Sequence, residues 1–152
     1  MKEDPGENPP STARHLPAPP PLPHAYPLLL VDRVLMLEPD HWVVALRNVT
    51  RNDPLVDASG LLPSVLVAEA MAQAAGLAVA PSRSGATVML AGIDRFRCRR
   101  PIVAGDQLVV TVRVVKQFAG IVKVRAAVRV AGRRRAAGEL MLHFPRLHAR
   151  QP

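Results

Sequence analysis

The chain has 152 residues, 49% of them hydrophobic, a net charge of +8 at pH 7 and a single cysteine, Cys98. This length and composition predict one globular domain with a real core and exclude an intramolecular disulfide. The positive charge favours an anionic partner, such as an acidic protein. Aromatic residues make up only 3% of the chain, which leaves few platforms for stacking bases, so we do not expect nucleic acid as a partner. No Cys or His cluster has metal-ligand spacing, and we expect no metal and no other cofactor.

Proline dominates the start of the chain, where eight of the 16 prolines lie within residues 1–23. The charged first residues are followed by these prolines and not by the apolar segment of a secretory signal. We predict a disordered, proline-rich leader over residues 1–22, a folded domain over 23–145 and a basic tail over 146–152. Without a targeting segment, a cytoplasmic location is the default expectation.

Two apolar stretches after the leader are typical of β-strands, namely residues 28–37 and residues 42–49. The residues between them, Glu38-Pro39-Asp40-His41, favour a turn, so a hairpin is the simplest arrangement. Residues 50–59 are polar and rich in turn formers, and we expect a loop there.

The longest apolar run, residues 61–80, has the length and the residue types of a sizeable helix. Pro63 is tolerated in a first turn, Ser64 is able to cap the helix, and Pro81 ends the run. The run is apolar on nearly every face, which requires that a sheet, a partner subunit or both surround the helix.

Two strongly polar residues, Glu69 and Gln73, interrupt this run and lie four residues apart, which places them on one face of the helix. Together with Pro63 and the high alanine content, they argue against a membrane span. A carboxylate in an apolar helix is expensive unless it is paired, so Glu69 indicates a functional site.

The second half of the chain contains four extended segments. They cover residues 86–97, interrupted by Gly92, then 107–116, 120–130 and a last strand that ends near Phe144, with Ala131-Gly132 as a hairpin turn. The order of elements predicts an α+β protein in which an antiparallel sheet closes around one long helix. Lys123, Arg125 and Arg129 share one strand face, which we expect to be an ordinary solvated surface.

Several stretches resemble the FabZ-type 3-hydroxyacyl-[acyl-carrier-protein] dehydratase family. They are LPHAYPLLLVDR (22–33), NVTRNDP (48–54), EAMAQAAG (69–76), GIDRFRCRRP (92–101) and GDQL (105–108). These stretches occur in the family's order and together cover residues 22–144. The resemblance implies a hotdog fold, in which an antiparallel sheet wraps the central helix and two chains form a homodimer through their sheets.

The family eliminates water from a 3-hydroxyacyl thioester, a lyase reaction that needs an acid–base pair and donors for the thioester oxygen. The resemblance implies an acyl carrier protein or acyl-coenzyme A thioester as partner. In the family a histidine on the loop before the helix faces a carboxylate on the helix of the partner chain, and the resemblance assigns that carboxylate to Glu69. It also predicts substrate contacts at Ser64, Val65 and Gln73, with backbone N–H groups near the helix start polarising the carbonyl.

The family's catalytic histidine has no counterpart in this sequence. Where the family has a Gly-His-Phe-Pro-Gly loop before the helix, this chain has a shorter loop, residues 54–64, without histidine. Counted from Pro54, Ser59 falls at the position of the histidine. Asp57 and His24 are the weak candidates for a second acid–base group.

The missing histidine leaves several functions open. The chain is expected to be a FabZ-like homologue that binds acyl thioesters in fatty-acid or polyketide-type metabolism, with dehydration impaired or altered. A second hypothesis is a dehydratase with a relocated base, which acts on an unusual substrate through Glu69 and a residue such as Asp57 or His24. The alternatives are an acyl-thioesterase that uses Glu69 and a non-catalytic subunit that binds acyl carriers. The sequence therefore leaves open whether the chain is an enzyme.

Overall fold

The computed structural model describes residues 22–79 and 88–144. The predicted tail lies outside these residues, as does the leader except for Leu22. The limits of the three predicted regions therefore stay predictions.

The described chain contains eight strands and one helix. They are β1 (Arg33–Glu38), β2 (Trp42–Asn48), β3 (Leu61–Leu62), α1 (Ser64–Val79), β4 (Met89–Cys98), β5 (Ile102–Val103), β6 (Gln107–Phe118), β7 (Ile121–Val130) and β8 (Arg133–His143). Six strands form one sheet in the order β1-β2-β6-β7-β8-β4, and every neighbouring pair is antiparallel. β3 and β5 form a separate antiparallel pair.

The helix α1 is the centre of the core. It packs against β2, β6, β7 and β8, and residues 73–79 are all buried within the single chain. Around it lie the inward-facing residues of the strands, among them Val43, Val110, Val124 and Leu140. The predicted α+β arrangement, a sheet closed around one apolar helix, is confirmed.

The helix begins later than the apolar run predicted. Leu61 and Leu62 pair as a strand with Val103 and Ile102, because a residue that precedes proline disfavours the α conformation. Pro63 therefore stands before the helix, and its carbonyl oxygen accepts a hydrogen bond of 2.9 Å from the Leu66 N–H. Ser64 is the first helical residue instead of its cap.

The strand predictions hold with shifted ends. The β1–β2 and β7–β8 hairpins are present, and Ala131 and Gly132 form the second turn with φ values of 48° and 75°, as a two-residue hairpin loop requires. The interruption at Gly92 appears as a register shift between Leu90 and Gly92 in β4. The first strand starts at Arg33 instead of Leu28, because the Leu28 carbonyl and the Leu30 N–H bond to the Gln73 side chain of α1 instead of to the backbone of a neighbouring strand.

No helix within residues 22–79 and 88–144 is long and apolar enough to cross a membrane.

Candidate active site

A stripe of three side chains on one face of α1 leads from the solvent-exposed start of the helix into the core. Val65, Glu69 and Gln73 follow one another at intervals of four residues, which stacks them on the same face. Val65 is 69% exposed, the Glu69 side chain is 36% exposed and Gln73 is only 2% exposed. Glu69 therefore sits at the rim, where a carboxylate keeps contact with solvent and still reaches a ligand.

Gln73 uses its whole amide to attach the segment 22–32 to the helix. Its Nε2 donates to the carbonyl oxygen of Leu28 at 2.7 Å, and its Oε1 accepts from the N–H of Leu30 at 2.8 Å. The same Nε2 donates to Oε1 of Glu69 at 2.9 Å, which confirms that the two side chains share a face. Gln73 thus fixes both the carboxylate and the segment that carries His24, while its predicted substrate contact stays a prediction.

His24 and Glu69, which are 45 positions apart in the chain, meet at this stripe. Nε2 of His24 lies 3.5 Å from Oε1 of Glu69, and the His24 side chain is 35% exposed. Its other nitrogen, Nδ1, is buried without a hydrogen-bond partner. His24 is therefore the ionisable side chain that the structure brings to Glu69.

The two oxygens of Glu69 have different surroundings. Oε1 is held by Gln73 and His24, whereas no described residue bonds to Oε2. A carboxylate with one oxygen fixed by donors has a defined orientation, and its other oxygen remains available for a ligand. This arrangement suits proton abstraction or the activation of a water molecule.

The start of α1 supplies donors close to the same stripe. Ser64 and Val65 are exposed, and the first N–H groups of a helix have no acceptor inside it. The positive end of the helix dipole also lies there, and it favours an oxygen that gains negative charge. A thioester carbonyl placed at Ser64 and Val65 would lie one helical turn from Glu69.

Asp57 is committed to its own loop. Its Oδ1 accepts hydrogen bonds from the hydroxyl and the N–H of Ser59, at 2.6 and 2.9 Å, and from the N–H of Leu61 at 2.9 Å. The Ser59 hydroxyl, followed by the Leu61 N–H, lowers the pKa of Asp57. A lowered pKa weakens a carboxylate as a base, so the geometry favours His24 over Asp57 as the second group.

A charged cluster around Arg47, which the sequence did not predict, holds the segment 22–32 in place. Arg47 bonds to Asp32 at 3.0 Å, to the Leu29 carbonyl oxygen at 3.3 Å and to Asp53. Asp32 also accepts from the N–H of Asn48 at 2.6 Å. The cluster ties the segment 22–32 to β2 and to the loop before the helix. Asp32 and Asp53 lie in the motif stretches 22–33 and 48–54, which were the available signal, whereas Arg47 lies outside every stretch.

The described residues contain no group of three His, Cys, Asp or Glu side chains placed to hold a metal ion. Cys98, at the end of β4, is a free cysteine whose Sγ lies 3.4 Å from the Arg100 carbonyl oxygen.

Comparison with known proteins agrees with this fold. Residues 22–138 match the FabA-like domain family. The 3-hydroxyacyl-[acyl-carrier-protein] dehydratase FabZ of Nitrosospira multiformis is 43% identical over 129 residues, which cover 79% of this chain and 88% of that protein. The FabZ of Streptococcus pyogenes is 41% identical over 125 residues, covering 78% of this chain and 89% of that protein.

Solved structures show the same architecture. The dehydratase heterocomplex ApeI:P from Xenorhabdus doucetiae includes a chain that superposes with a TM-score of 0.77 and 25% identity, covering 87% of this chain and 93% of that one. The zebra fish thioesterase superfamily member 2 superposes with a TM-score of 0.67 and 20% identity, covering 82% and 89%.

A sheet wrapped around one helix, as in the solved structures above, defines a protein of the class with the hotdog fold. Within that class, the chain belongs to the FabZ-type 3-hydroxyacyl-[acyl-carrier-protein] dehydratase family.

Proposed function

We propose that this chain binds 3-hydroxyacyl thioesters of fatty-acid or polyketide-type metabolism and dehydrates them through Glu69 and His24, more slowly than a site with the loop histidine. The contact of 3.5 Å between His24 Nε2 and Glu69 Oε1 carries the proposal. It supplies a second ionisable group although the sequence has no histidine between His41 and His143.

The elimination needs one group for each proton. Oε2 of Glu69, which no described residue occupies, removes the α proton of the thioester. A protonated His24 gives its Nε2 proton to the departing β hydroxyl, which leaves as water while the α–β double bond forms. The proton on Oε2 of Glu69 then passes to solvent and His24 takes up a proton from solvent, since both side chains are partly exposed, and both groups regain their starting state. The N–H groups of Ser64 and Val65 stabilise the thioester oxygen.

One feature makes this pair slower than an unhindered one. The contact between His24 Nε2 and Glu69 Oε1 competes with the substrate for the same nitrogen. For comparison, complete loss of one acid–base group costs about 10²–10⁴ in rate.

The proposed assembly is a homodimer in the cytoplasm with an acyl carrier protein or acyl-coenzyme A as partner. The edge strand β4 supports the dimer, because it pairs only with β8 among the described residues and exposes Met89, Leu90 and Ile93. The net charge of +8 suits an acidic carrier protein.

The direct experiment follows conversion of 3-hydroxyacyl thioesters, on carrier protein and on coenzyme A, to enoyl products by the purified chain. We expect Glu69→Gln to lower the rate by about 10² or more and His24→Asn by about tenfold or more. Asp57→Asn and His41→Asn are the matched controls and should stay within about twofold of the parent, since neither side chain contacts Glu69. An unchanged rate in His24→Asn would contradict the relocated pair.

Hydrolysis of the thioester is the second candidate, supported by Oε2 of Glu69, to which no described residue bonds, and by the thioesterase with the same fold. In that reaction Glu69 activates a water molecule, which attacks the carbonyl held at the helix start, and the thiol leaves. The same samples distinguish the reactions, because hydrolysis releases a free thiol and dehydration does not.

A non-catalytic or complementing subunit is the third candidate. Its support is the absent loop histidine and the similarity to a chain of a dehydratase heterocomplex. Binding of an acyl carrier without enoyl product or free thiol would favour it. Dehydration that appears only after addition of a second hotdog chain with the loop histidine would favour it further.

A further inference from the structure

The outer face of the sheet contains a groove that the site at Glu69 does not use. It spans β4, β7 and β8 and has a volume of about 330 Å³. In β7, Arg125 alternates with the buried residues Val124 and Ala126, which places the groove on the sheet face opposite α1. No residue of α1 lines it.

Arginine dominates the lining. Six arginines surround a short stretch of alanine and glycine backbone, and Glu139 is the one acidic residue; the arginines are Arg95, Arg97, Arg99, Arg125, Arg134 and Arg135. The lining therefore has a formal excess of five positive charges, from six arginines less one glutamate. An ordinary solvated strand face intersperses charges of both signs, so this excess is unusual.

Glu139 neutralises only part of the groove. It bonds to Nη2 of Arg95 at 2.9 Å and to Nε of Arg125 at 3.2 Å. Among residues 22–79 and 88–144, no carboxylate pairs with Arg97 or Arg99. Nε of Arg135 is buried without a hydrogen-bond partner, and such a donor is normally satisfied. These three arginines are the donors that remain for a ligand.

The backbone of β4 is distorted at Arg95, one of the arginines that line the groove. Four non-glycine residues of the described chain have positive φ, and three of them lie in hairpin turns; the fourth, Arg95 at 54°, lies inside β4. A register shift between Asp94 and Arg97 accompanies it. A bulge of this kind redirects side chains, and the strained backbone at the bulged residue must be offset by other contacts. Here the bulge brings Arg95 to Glu139 in β8.

We infer that this groove binds a small organic ligand that carries a diphosphate group, at a site separate from Glu69. Guanidinium groups bind phosphate oxygens in a bidentate manner. Each terminal phosphate carries roughly −1.5 to −2 charges, so the excess positive charge in the lining matches more than one phosphate. A concave groove of this volume fits a small molecule better than the convex surface of an acidic protein helix.

Calorimetric titration of the full chain with inorganic pyrophosphate, ADP and coenzyme A tests this inference. All three ligands contain a diphosphate group. Their order of affinity shows which larger group the groove recognises with it: none for pyrophosphate, a nucleoside for ADP, or the phosphoadenosine end of coenzyme A. The groove variant is Arg97→Gln/Arg99→Gln, at two exposed positions that form no described ion pair. The control is Arg33→Gln/Arg133→Gln, which removes the same charge at exposed positions outside the groove.

We expect one ligand per chain, affinity weakened by about tenfold or more in the groove variant, and a change below about twofold in the control. Arg97→Gln alone should give an intermediate loss. Glu69→Gln should bind normally, which separates this inference from the proposed reaction. An equal loss in groove variant and control would show unspecific attraction and overturn the inference. Absence of binding for all three ligands would overturn the inference. It would also be overturned if the chain bound a single-stranded oligonucleotide or an acidic carrier protein but none of the three ligands.

Discussion

Gln73 and Glu69 share a hydrogen bond of 2.9 Å, and the same nitrogen of Gln73 also bonds to the carbonyl oxygen of Leu28 at 2.7 Å. The orientation of the candidate catalytic carboxylate is therefore coupled to the position of the segment 22–32. Any change that frees this segment also frees His24 from Glu69.

Replacing Gln73 with leucine should uncouple the Glu69 carboxylate from the segment 22–32. The Leu28 carbonyl and the buried Leu30 N–H would each lose their partner, and we expect unfolding to require about 2–4 kcal/mol less free energy. Urea denaturation measures this loss. Gln107→Leu is the control, because Gln107 is exposed and bonds only to Asn48. A loss equal to that of the control would show that the amide does not anchor the segment.

Arg47 is the second anchor of this region. Its side chain is 12% exposed and pairs with Asp53, which is 6% exposed. Arg47→Met leaves the Asp53 carboxylate buried without its partner, so we expect a loss of about 3–5 kcal/mol in stability. Urea denaturation measures this loss. The control is Arg33→Met, at an exposed position, which should change the free energy of unfolding by less than about 0.5 kcal/mol.

The double variant Arg47→Met/Asp53→Asn tests the cause of that loss. Removing the stranded charge should recover part of the stability of Arg47→Met, because the neutral amide is cheaper to bury. A double variant that is less stable than Arg47→Met would contradict this account.

The sequence predicted the large elements because their signals are local. The run that became α1 is apolar over four turns, and Ala131-Gly132 has the residue types of a two-residue turn. The pairing of Leu61–Leu62 with Ile102–Val103 was missed, because two residues leave no periodic pattern and their partner lies 40 positions away.

The site was predictable only in part for a similar reason. Glu69 stood out as a carboxylate in an apolar helix, but its contact with His24 depends on backbone bonds between Gln73 and residues 28–30. These bonds use the backbone of Leu28 and Leu30, so the side chains at these two positions do not indicate them in the sequence. The alternation in β7 predicts a solvated face for Arg125, but it does not reveal that residues of β4 and β8 line a groove beside it.

Acid should destabilise the protein through Glu139. The ammonium of Lys123 at 2.6 Å, followed by Arg125 and Arg95, lowers the pKa of Glu139 from 4.5 to about 2 against the opposing effect of burial. A lowered pKa stabilises the fold fully above about pH 4.5, and the contribution disappears as the pH falls through about 2. Arg95 and Arg125 are more than half exposed and screened by solvent, so we expect about 1–2 kcal/mol.

Glu139→Gln provides the measurement. At neutral pH it should be less stable than the parent by that amount, and the difference in unfolding free energy should shrink between about pH 4.5 and about pH 2. Asp94→Asn is the control, because Asp94 neighbours Glu139 across the β4–β8 pair but is exposed. A difference that stays constant across this window would contradict the role of Glu139.

The edge of β4 that faces away from β8 should pair with a second copy of the chain, because no other described strand pairs with β4. The backbone groups along this edge and the exposed side chains of Met89, Leu90 and Ile93 form an apolar edge that is unfavourable in water. Ile93→Lys introduces a charge into this edge, and we expect it to shift a homodimer to monomers. Sedimentation velocity measures the change. Val115→Lys, at a similarly exposed apolar position in β6 away from the edge, should stay dimeric. A parent protein that sediments as a monomer, or dissociation by Val115→Lys instead of Ile93→Lys, would contradict pairing through β4.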